Sequence, residues 1–228
     1  MNGIFERIAA LIGEESVEKL KNARVIVFGL GGVGGYTAEA LARSGVGAMD
    51  IVDNDVFVLS NINRQIGALH STIGQKKTEV MTKRLRDINP ALQITAHELF
   101  VLPENVSQFD FSSYDYVVDA IDTVKAKIAI IERAKACGVP VISAMGAGNK
   151  LDPTKFKAAD ISKTSVCPLA RAVRQELKKR GVNGVKTVYS EETPVKTGLS
   201  VPASVVYATA AMGLLIAKEV IEDLIKEE

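Results

Sequence analysis

The sequence predicts an α/β fold, a mainly parallel sheet flanked by helices, on three observations. Apolar β-branched runs alternate with stretches of helical periodicity, a glycine-rich turn follows the first run, and acidic residues stand at the ends of two others. A chain of 228 residues that is 47% hydrophobic has ample material for one large core, so a single domain over residues 1–228 is expected.

Before the first strand, Ile8, Leu11, Ile12, Val17 and Leu20 fall at near-helical spacing broken by Gly13, which predicts two short helices. Arg24-Val-Ile-Val-Phe28 is β-branched and aromatic enough for a buried strand, and it runs into Gly29-Leu-Gly-Gly-Val-Gly-Gly35. Here Gly29, Gly31 and Gly34 have G-x-G-x-x-G spacing: the first allows a tight turn, the second lets backbone approach phosphate oxygens, and the third lets a helix sit close on the strand. That helix, over residues 32–44, would aim its amide donors and positive dipole end at an anion. Met49-Asp-Ile-Val-Asp53 is a second strand, and its terminal acid is of the kind that accepts hydrogen bonds from ribose hydroxyls.

A polar loop over residues 54–74 precedes a helix with the stripe Val80, Met81, Leu85 and Ile88, ended by Asn89-Pro90. Gln93-Ile-Thr-Ala-His97 alternates as a strand, and Tyr114-Asp-Tyr-Val-Val-Asp119 is another, leading into Asp119-Ala-Ile-Asp-Thr123. A helix over 124–137 is closed by Gly138, and Pro140-Val-Ile-Ser-Ala144 is a short buried strand. From Leu151 to Lys196 the chain is more polar, and ten Lys or Arg against five Asp or Glu leave it at +5. Its middle, residues 168–180, reads as a helix with Leu169, Val173 and Leu177 inward and Arg171, Arg174, Lys178 and Lys179 outward. The last stretch, 205–225, is apolar, but Lys218, Glu219, Glu222 and Asp223 interrupt it before the roughly 20 residues a bilayer span needs. We expect a packed or interfacial helix without stable membrane insertion.

A formal charge of +1 excludes a strongly basic nucleic-acid protein by global balance, while leaving the local basic segment. Two cysteines, Cys137 and Cys167, cannot supply two C-x-x-C pairs, and so sparse a count fits a reducing compartment. Residues 1–7 lack a basic region followed by an apolar one, so no signal peptide is expected and the predicted location is cytoplasmic.

The glycine turn alone does not separate NAD from ATP. Asp53-Asn-Asp55, Ser60-Asn-Ile-Asn-Arg-Gln65, Gly74-Gln-Lys-Lys77 and Asp119-Ala-Ile-Asp122, in this order, closely resemble the ATP-dependent adenylating family of ubiquitin-activating-like (E1-like) enzymes. Relatives in that family activate the sulfur carriers of molybdopterin and thiamine synthesis. The resemblance covers nearly the whole chain and implies a Rossmann-like sheet with the C-terminal sheet and helix extension typical of these adenylation domains. It divides the chain into a nucleotide-binding half, 1–150, and a substrate-facing half, 151–228. By the same likeness Gly29, Gly31, Gly32, Gly34, Asp53 and Asp55 bind ATP, with Asp53 on the ribose, and Asn61, Arg64 and Lys77 contact phosphates. Asp122 then helps hold Mg²⁺, and Arg7 matches an arginine that enters the partner subunit's site, making the active unit a homodimer with Arg7, Arg64, Lys77 and Asp122 as catalytic residues. The chemistry agrees, because carboxylate attack on the α-phosphate develops charge that Arg, Lys and Mg²⁺ neutralise.

The chain departs from many relatives in lacking zinc cysteines and a cysteine placed to accept a thioester. Ala40-Leu-Ala-Arg-Ser-Gly-Val-Gly47, Asn61-Ile-Asn-Arg-Gln65, Gly146-Ala-Gly-Asn-Lys-Leu-Asp-Pro-Thr154 and Lys163-Thr-Ser-Val-Cys-Pro-Leu-Ala170 resemble one branch, which uses ATP to dehydrate and cyclise threonylcarbamoyladenosine in tRNA. On that reading the basic segment 151–196 serves the tRNA backbone, in a salt-dependent way. A sulfur-transfer partner protein is left open. Three rivals stand beside it: activation of a small ubiquitin-like sulfur carrier, an NAD-dependent oxidoreductase, and a nucleotide-binding scaffold without turnover. Plainer readings also stand: Asp122 as a helix cap, the basic helix as a solvated face, Cys167, His70 and His97 as packing or surface residues. Glu191 and Glu192 are acid–base candidates that nothing singles out.

Overall fold

The structure, a computed structural model, describes residues 3–226; Met1, Asn2, Glu227 and Glu228 lie outside the described residues, so the reading of the N-terminal seven residues is met only from Gly3 onward. Its centre is a seven-stranded sheet of β1 (Arg24–Phe28), β2 (Ala48–Val52), β3 (Gln93–His97), β4 (Tyr116–Asp119), β5 (Val141–Ala144), β6 (Phe156–Asp160) and β7 (Lys186–Ser190). The order across the sheet is β3-β2-β1-β4-β5-β7-β6, and every neighbouring pair is parallel except β6 with β7. The strand order reverses between β1 and β4, and an α/β sheet opens its ligand crevice at such a switch point, beyond the carboxyl ends of the strands.

Alternation along β1 builds two cores. Val25 and Val27 face a layer with Leu41 of α3 (Gly34–Ser44), Met81 and Leu85 of α4 (Lys77–Ile88), and Met212, Ile216 and Val220 of α7 (Val206–Ile225). Ile26 and Phe28 face the other, with Ile130 and Ile131 of α5 (Val124–Ala136) and Val173 and Leu177 of α6 (Pro168–Lys179). The two short N-terminal helices, α1 (Glu6–Ile12) and α2 (Glu14–Asn22), meet at Gly13 as the spacing predicts.

The structure refines several expectations. The helix after the glycine turn begins at Gly34, not residue 32, so Gly31 to Val33 form a turn on the wall of the crevice. The strand read from Tyr114 begins at Tyr116: Asp115 N donates to Arg24 O at 2.8 Å, but Arg24 N donates to the Asp115 carboxylate at 2.7 Å and not to a backbone carbonyl, and Tyr114 OH donates to Asp50 at 3.0 Å. β6 and β7 went unread in the polar segment. β7 is buried between two strands yet carries Thr187 and Ser190 at 0% exposure, so its sequence shows no continuous apolar run. On α6, Arg174 does not point outward but donates to Thr164 O at 2.9 Å. The C-terminal α7 packs closely on α3: Thr37 Oγ1 donates to Gly213 O at 3.0 Å, and a Cβ at Gly213 would lie 2.5 Å from Val33 O, while Tyr207 and Leu214 stay exposed. Among the described residues no helix is long and apolar enough to cross a membrane.

Candidate active site

The carboxyl ends of β1, β2, β3 and β4 open onto one cavity of about 590 Å³. Its wall is built from Gly29, Gly31 and Gly32 of the glycine turn, Asp53 and Asp55 after β2, Asn61, Arg64 and Gln65 of the following loop, and Lys77 of α4. Leu99 to Val101 after β3, residues 120–123 after β4, and Thr209 of α7 complete it. Nearly every residue that the motifs single out therefore meets in one place.

The turn owes its shape to two glycines. Gly29 has φ +91°, and a Cβ there would lie 2.8 Å from Ala120 O. At Gly34 a Cβ would come within 1.8 Å of Gly29 O, so this glycine lets α3 sit under the turn and is not part of the cavity wall. Gly31, in contrast, faces open space, with Gln65 Nε2 4.0 Å from where a Cβ would stand. Backbone amides on an open turn at a helix N-terminus make an anion seat.

Around this seat the charges are arranged by short bonds. Asp53 accepts from Leu30 N at 2.7 Å and from Asp55 N at 2.8 Å, which ties the ends of β1 and β2 together and leaves a lone pair on each oxygen. The Lys77 ammonium, on a side chain 6% exposed, donates to Asp55 at 2.8 Å and stands 3.6 Å from Asp53. Asn61 is buried and folds its own loop by accepting from Val58 N at 3.1 Å. Arg64 is held by Ser60 O at 2.8 Å and Asn63 Oδ1 at 2.9 Å, both uncharged acceptors. Asp122 is exposed on the wall, and its side chain does not cap α5, whose N-cap Thr123 makes no side-chain cap bond.

Two features were not read from the sequence. Gln65 is 7% exposed and lines the cavity, yet its Oε1 has no hydrogen-bond partner among the described residues; an orphaned buried amide facing a cavity marks a ligand-facing group. Beneath the wall, Asp119 and Lys127, both at 0% exposure, pair at 3.0 Å. Lys127 also donates to Ala144 O at 2.7 Å, Ser143 donates to Asp119 at 2.5 Å, and Ile121 N reaches Asp119 at 3.3 Å. This knot fixes the loop that carries Asp122.

The cavity thus brings together an open glycine turn, a carboxylate bonded to that turn, an arginine, a lysine and the exposed Asp122, and the family model described as "ThiF family" matches residues 5–228. The chain belongs to the ThiF family. It is 41% identical over 241 residues to the tRNA threonylcarbamoyladenosine dehydratase of Bacillus subtilis, covering 98% of this chain and 95% of that one. The Escherichia coli protein of the same description is 41% identical over 199 residues, 84% of this chain and 74% of its own. A crystal structure of that E. coli dehydratase, TcdA, in complex with ATP superposes at a TM-score of 0.91 with 37% identity, covering 96% of this chain and 93% of the other.

In this ThiF-family chain the remaining candidates lie apart from the cavity. Arg7 is exposed on α1 and is not on its wall. His97 is bound to buried Asp50 at 2.7 Å, with its ring edge-on to Phe109, and His70 is exposed. Cys167 is packed at 3% exposure. Glu191 pairs with Lys157 at 2.5 Å, and Glu192 accepts from Leu151 N and Asp152 N, so both carboxylates are engaged in structure.

Proposed function

We propose that this chain is an ATP-dependent tRNA threonylcarbamoyladenosine dehydratase. The observation that carries the reading is the convergence of the glycine turn, Asp53, Asn61, Arg64, Lys77 and Asp122 on one cavity, in a chain matched almost end to end by a B. subtilis protein so described. ATP lies with its phosphates on Gly29, Gly31 and Gly32 and its ribose on the free lone pairs of Asp53. Asn61, Arg64 and Lys77 take the phosphates, and Gln65 supplies a further polar contact beside Gly31.

The carboxylate of the threonylcarbamoyl group attacks the α-phosphorus, forming an acyl-adenylate and releasing pyrophosphate. A nitrogen of the same substituent then attacks the acyl carbon and AMP leaves, so the substituent has lost the elements of water. No enzyme nucleophile is needed, in keeping with a buried Cys167. Arg64 and Lys77 oppose the charge that grows on phosphoryl oxygens, and their fixed positions make this opposition effective.

Mg²⁺ suits the donor set. Among the described residues no cluster of three or more His, Cys, Asp or Glu could hold a metal alone, and Mg²⁺ is commonly held by one or two carboxylates plus substrate phosphates. Asp122 would hold it. When bound, the ion neutralises phosphate charge.

For tRNA, the basic segment is narrower than its composition implies. Lys157, Lys179, Arg180 and Lys186 are paired with carboxylates, and Arg174 with a carbonyl. Lys155, Lys163, Arg171, Lys178 and Lys196 are exposed, and we assign phosphate contact to these. Arg7 serves the partner's cavity in a homodimer. The decisive experiment is incubation with ATP, Mg²⁺ and tRNA followed by nucleoside mass analysis: the threonylcarbamoyladenosine should lose one water, and an unchanged nucleoside refutes the substrate.

A further inference from the structure

Two cations face the cavity, and they are held in different ways. Arg64 rests on two neutral oxygens, so a phosphate would meet no rival anion there. Lys77 instead carries a carboxylate: Asp55 Oδ2 lies 2.8 Å from its Nζ, and the Asp55 side chain is 60% exposed on the cavity wall. The backbone enforces the pairing. Lys77 N donates to Asp55 O at 3.0 Å, and the neighbouring residues Val56 and Lys76 form a β-bridge. Asp55 N is in turn bonded to Asp53 at 2.8 Å, so the Asp55 carboxylate stays near the ammonium.

A lysine head group this buried needs a counter-charge, since removing an ammonium from water without a partner is unfavourable. The nearer partner, Asp55, is the more exposed of the two acids. A triphosphate seated on the glycine turn would bring negative oxygens towards the same ammonium. The two anions then compete for one cation and repel each other.

We infer that Asp55 is an exchangeable counter-ion for Lys77, a positioning residue that holds the ammonium in place and weakens nucleotide and pyrophosphate binding by competing for it. The inference rests on the nucleotide reading of the cavity. It gives Asp55 the opposite sign from a ligand: removing its charge strengthens binding, and the same removal costs stability by depriving Lys77 of its nearer partner and leaving it only Asp53 at 3.6 Å. A merely structural residue would not link tighter binding to a less stable fold.

The test is calorimetric titration of the full chain with ATP and, separately, with inorganic pyrophosphate. D55N should lower the ATP Kd about fivefold, the equivalent of about 1 kcal/mol for a largely exposed ion pair, and lower the Tm. D55E, which restores the charge, should bind like wild type. In a K77M background D55N should change Kd less than about twofold, since only general repulsion is then relieved. Wild type that binds ATP while D55N binds equally or more weakly would overturn the inference alone. Wild type that binds neither probe would overturn the nucleotide reading and the inference with it.

Discussion

Lys127→Met tests whether the buried knot under the cavity holds the fold and the site together. Lys127 and Asp119 are both at 0% exposure and 3.0 Å apart. Methionine keeps the apolar stem but leaves the Asp119 carboxylate with Ser143 and Ile121 N as its partners. Removing one member of a buried pair costs about 3–5 kcal/mol. For a chain of this size each kcal/mol corresponds to about 2–4 °C, so the Tm should fall by about 6–20 °C in a calorimetric scan. The double variant D119N/K127M, which buries no net charge, should be more stable than K127M alone. Because Asp119 also anchors the loop bearing Asp122, whatever folded K127M remains should show reduced kcat. A Tm loss under about 3 °C, or a double variant whose loss equals the sum of the singles, would refute the reasoning.

R64A and K77A should each lower kcat by about 10²–10³-fold while the folded far-ultraviolet spectrum persists, as loss of a fixed transition-state cation predicts; near-normal turnover in both would end the phosphate assignment. G34A should fold poorly, since its Cβ would lie 1.8 Å from Gly29 O, and a normal Tm would contradict the close seating of α3. R171A and K178A should weaken tRNA binding and each reduce the salt slope by about 1, measured by filter binding across a salt series. Acid should destabilise the fold through Glu39 and Asp223. Burial alone would raise both carboxyls, but hydrogen bonds from Arg84 and Arg43 to Glu39, and from Lys186, Lys226 and Tyr116 to Asp223, hold both below the usual range. Their stabilisation is therefore present above about pH 4, the ordinary carboxylate value, and is lost as pH falls through that value towards the depressed folded one. Melting curves from pH 5 to 3 should steepen with acid, and E39Q should flatten part of the slope.

The first half of the fold was legible because local signals and tertiary role agree there. Val25 to Phe28 alternate between two cores, and a strand buried on both faces reads as a near-continuous apolar run wherever its side chains have no polar partner. The glycines at 29 and 34 are forced by backbone contacts that no side chain could share. β7 failed the same test because its Thr187 is satisfied by a bond to Ala159 O at 3.0 Å across the sheet. A polar residue with its partner on another strand is buried at little cost, and its own sequence gives no sign of it. Arg174 is the same case on a helix: its spacing marks a solvated face, and only the fold brings Thr164 within reach.

The cavity shows why motif and mechanism are legible to different depths. Asp53, Asn61, Arg64 and Lys77 come from three separate stretches, and their spacing along the chain carries the geometry because Asp53 follows a strand end, Lys77 starts a helix, and the loop between them is folded on itself by Val58 N donating to Asn61 and Arg64 donating to Ser60 O. What spacing does not carry is the sign of each contact. Asp53 and Asp55 are two residues apart with the same charge, yet Asp53 bonds to the turn backbone while Asp55 sits on an ammonium. On the proposed reading, one orients a ligand-facing oxygen and the other competes with the ligand. Lys127 makes the converse point. Three residues into α5 it would be read as an exposed helix lysine, and it is instead the most buried cation of the wall's foundation because Asp119 and the Ala144 carbonyl converge beneath it. Charge in a sequence names the groups a site can use; whether each one binds, competes or braces depends on the partner the fold supplies.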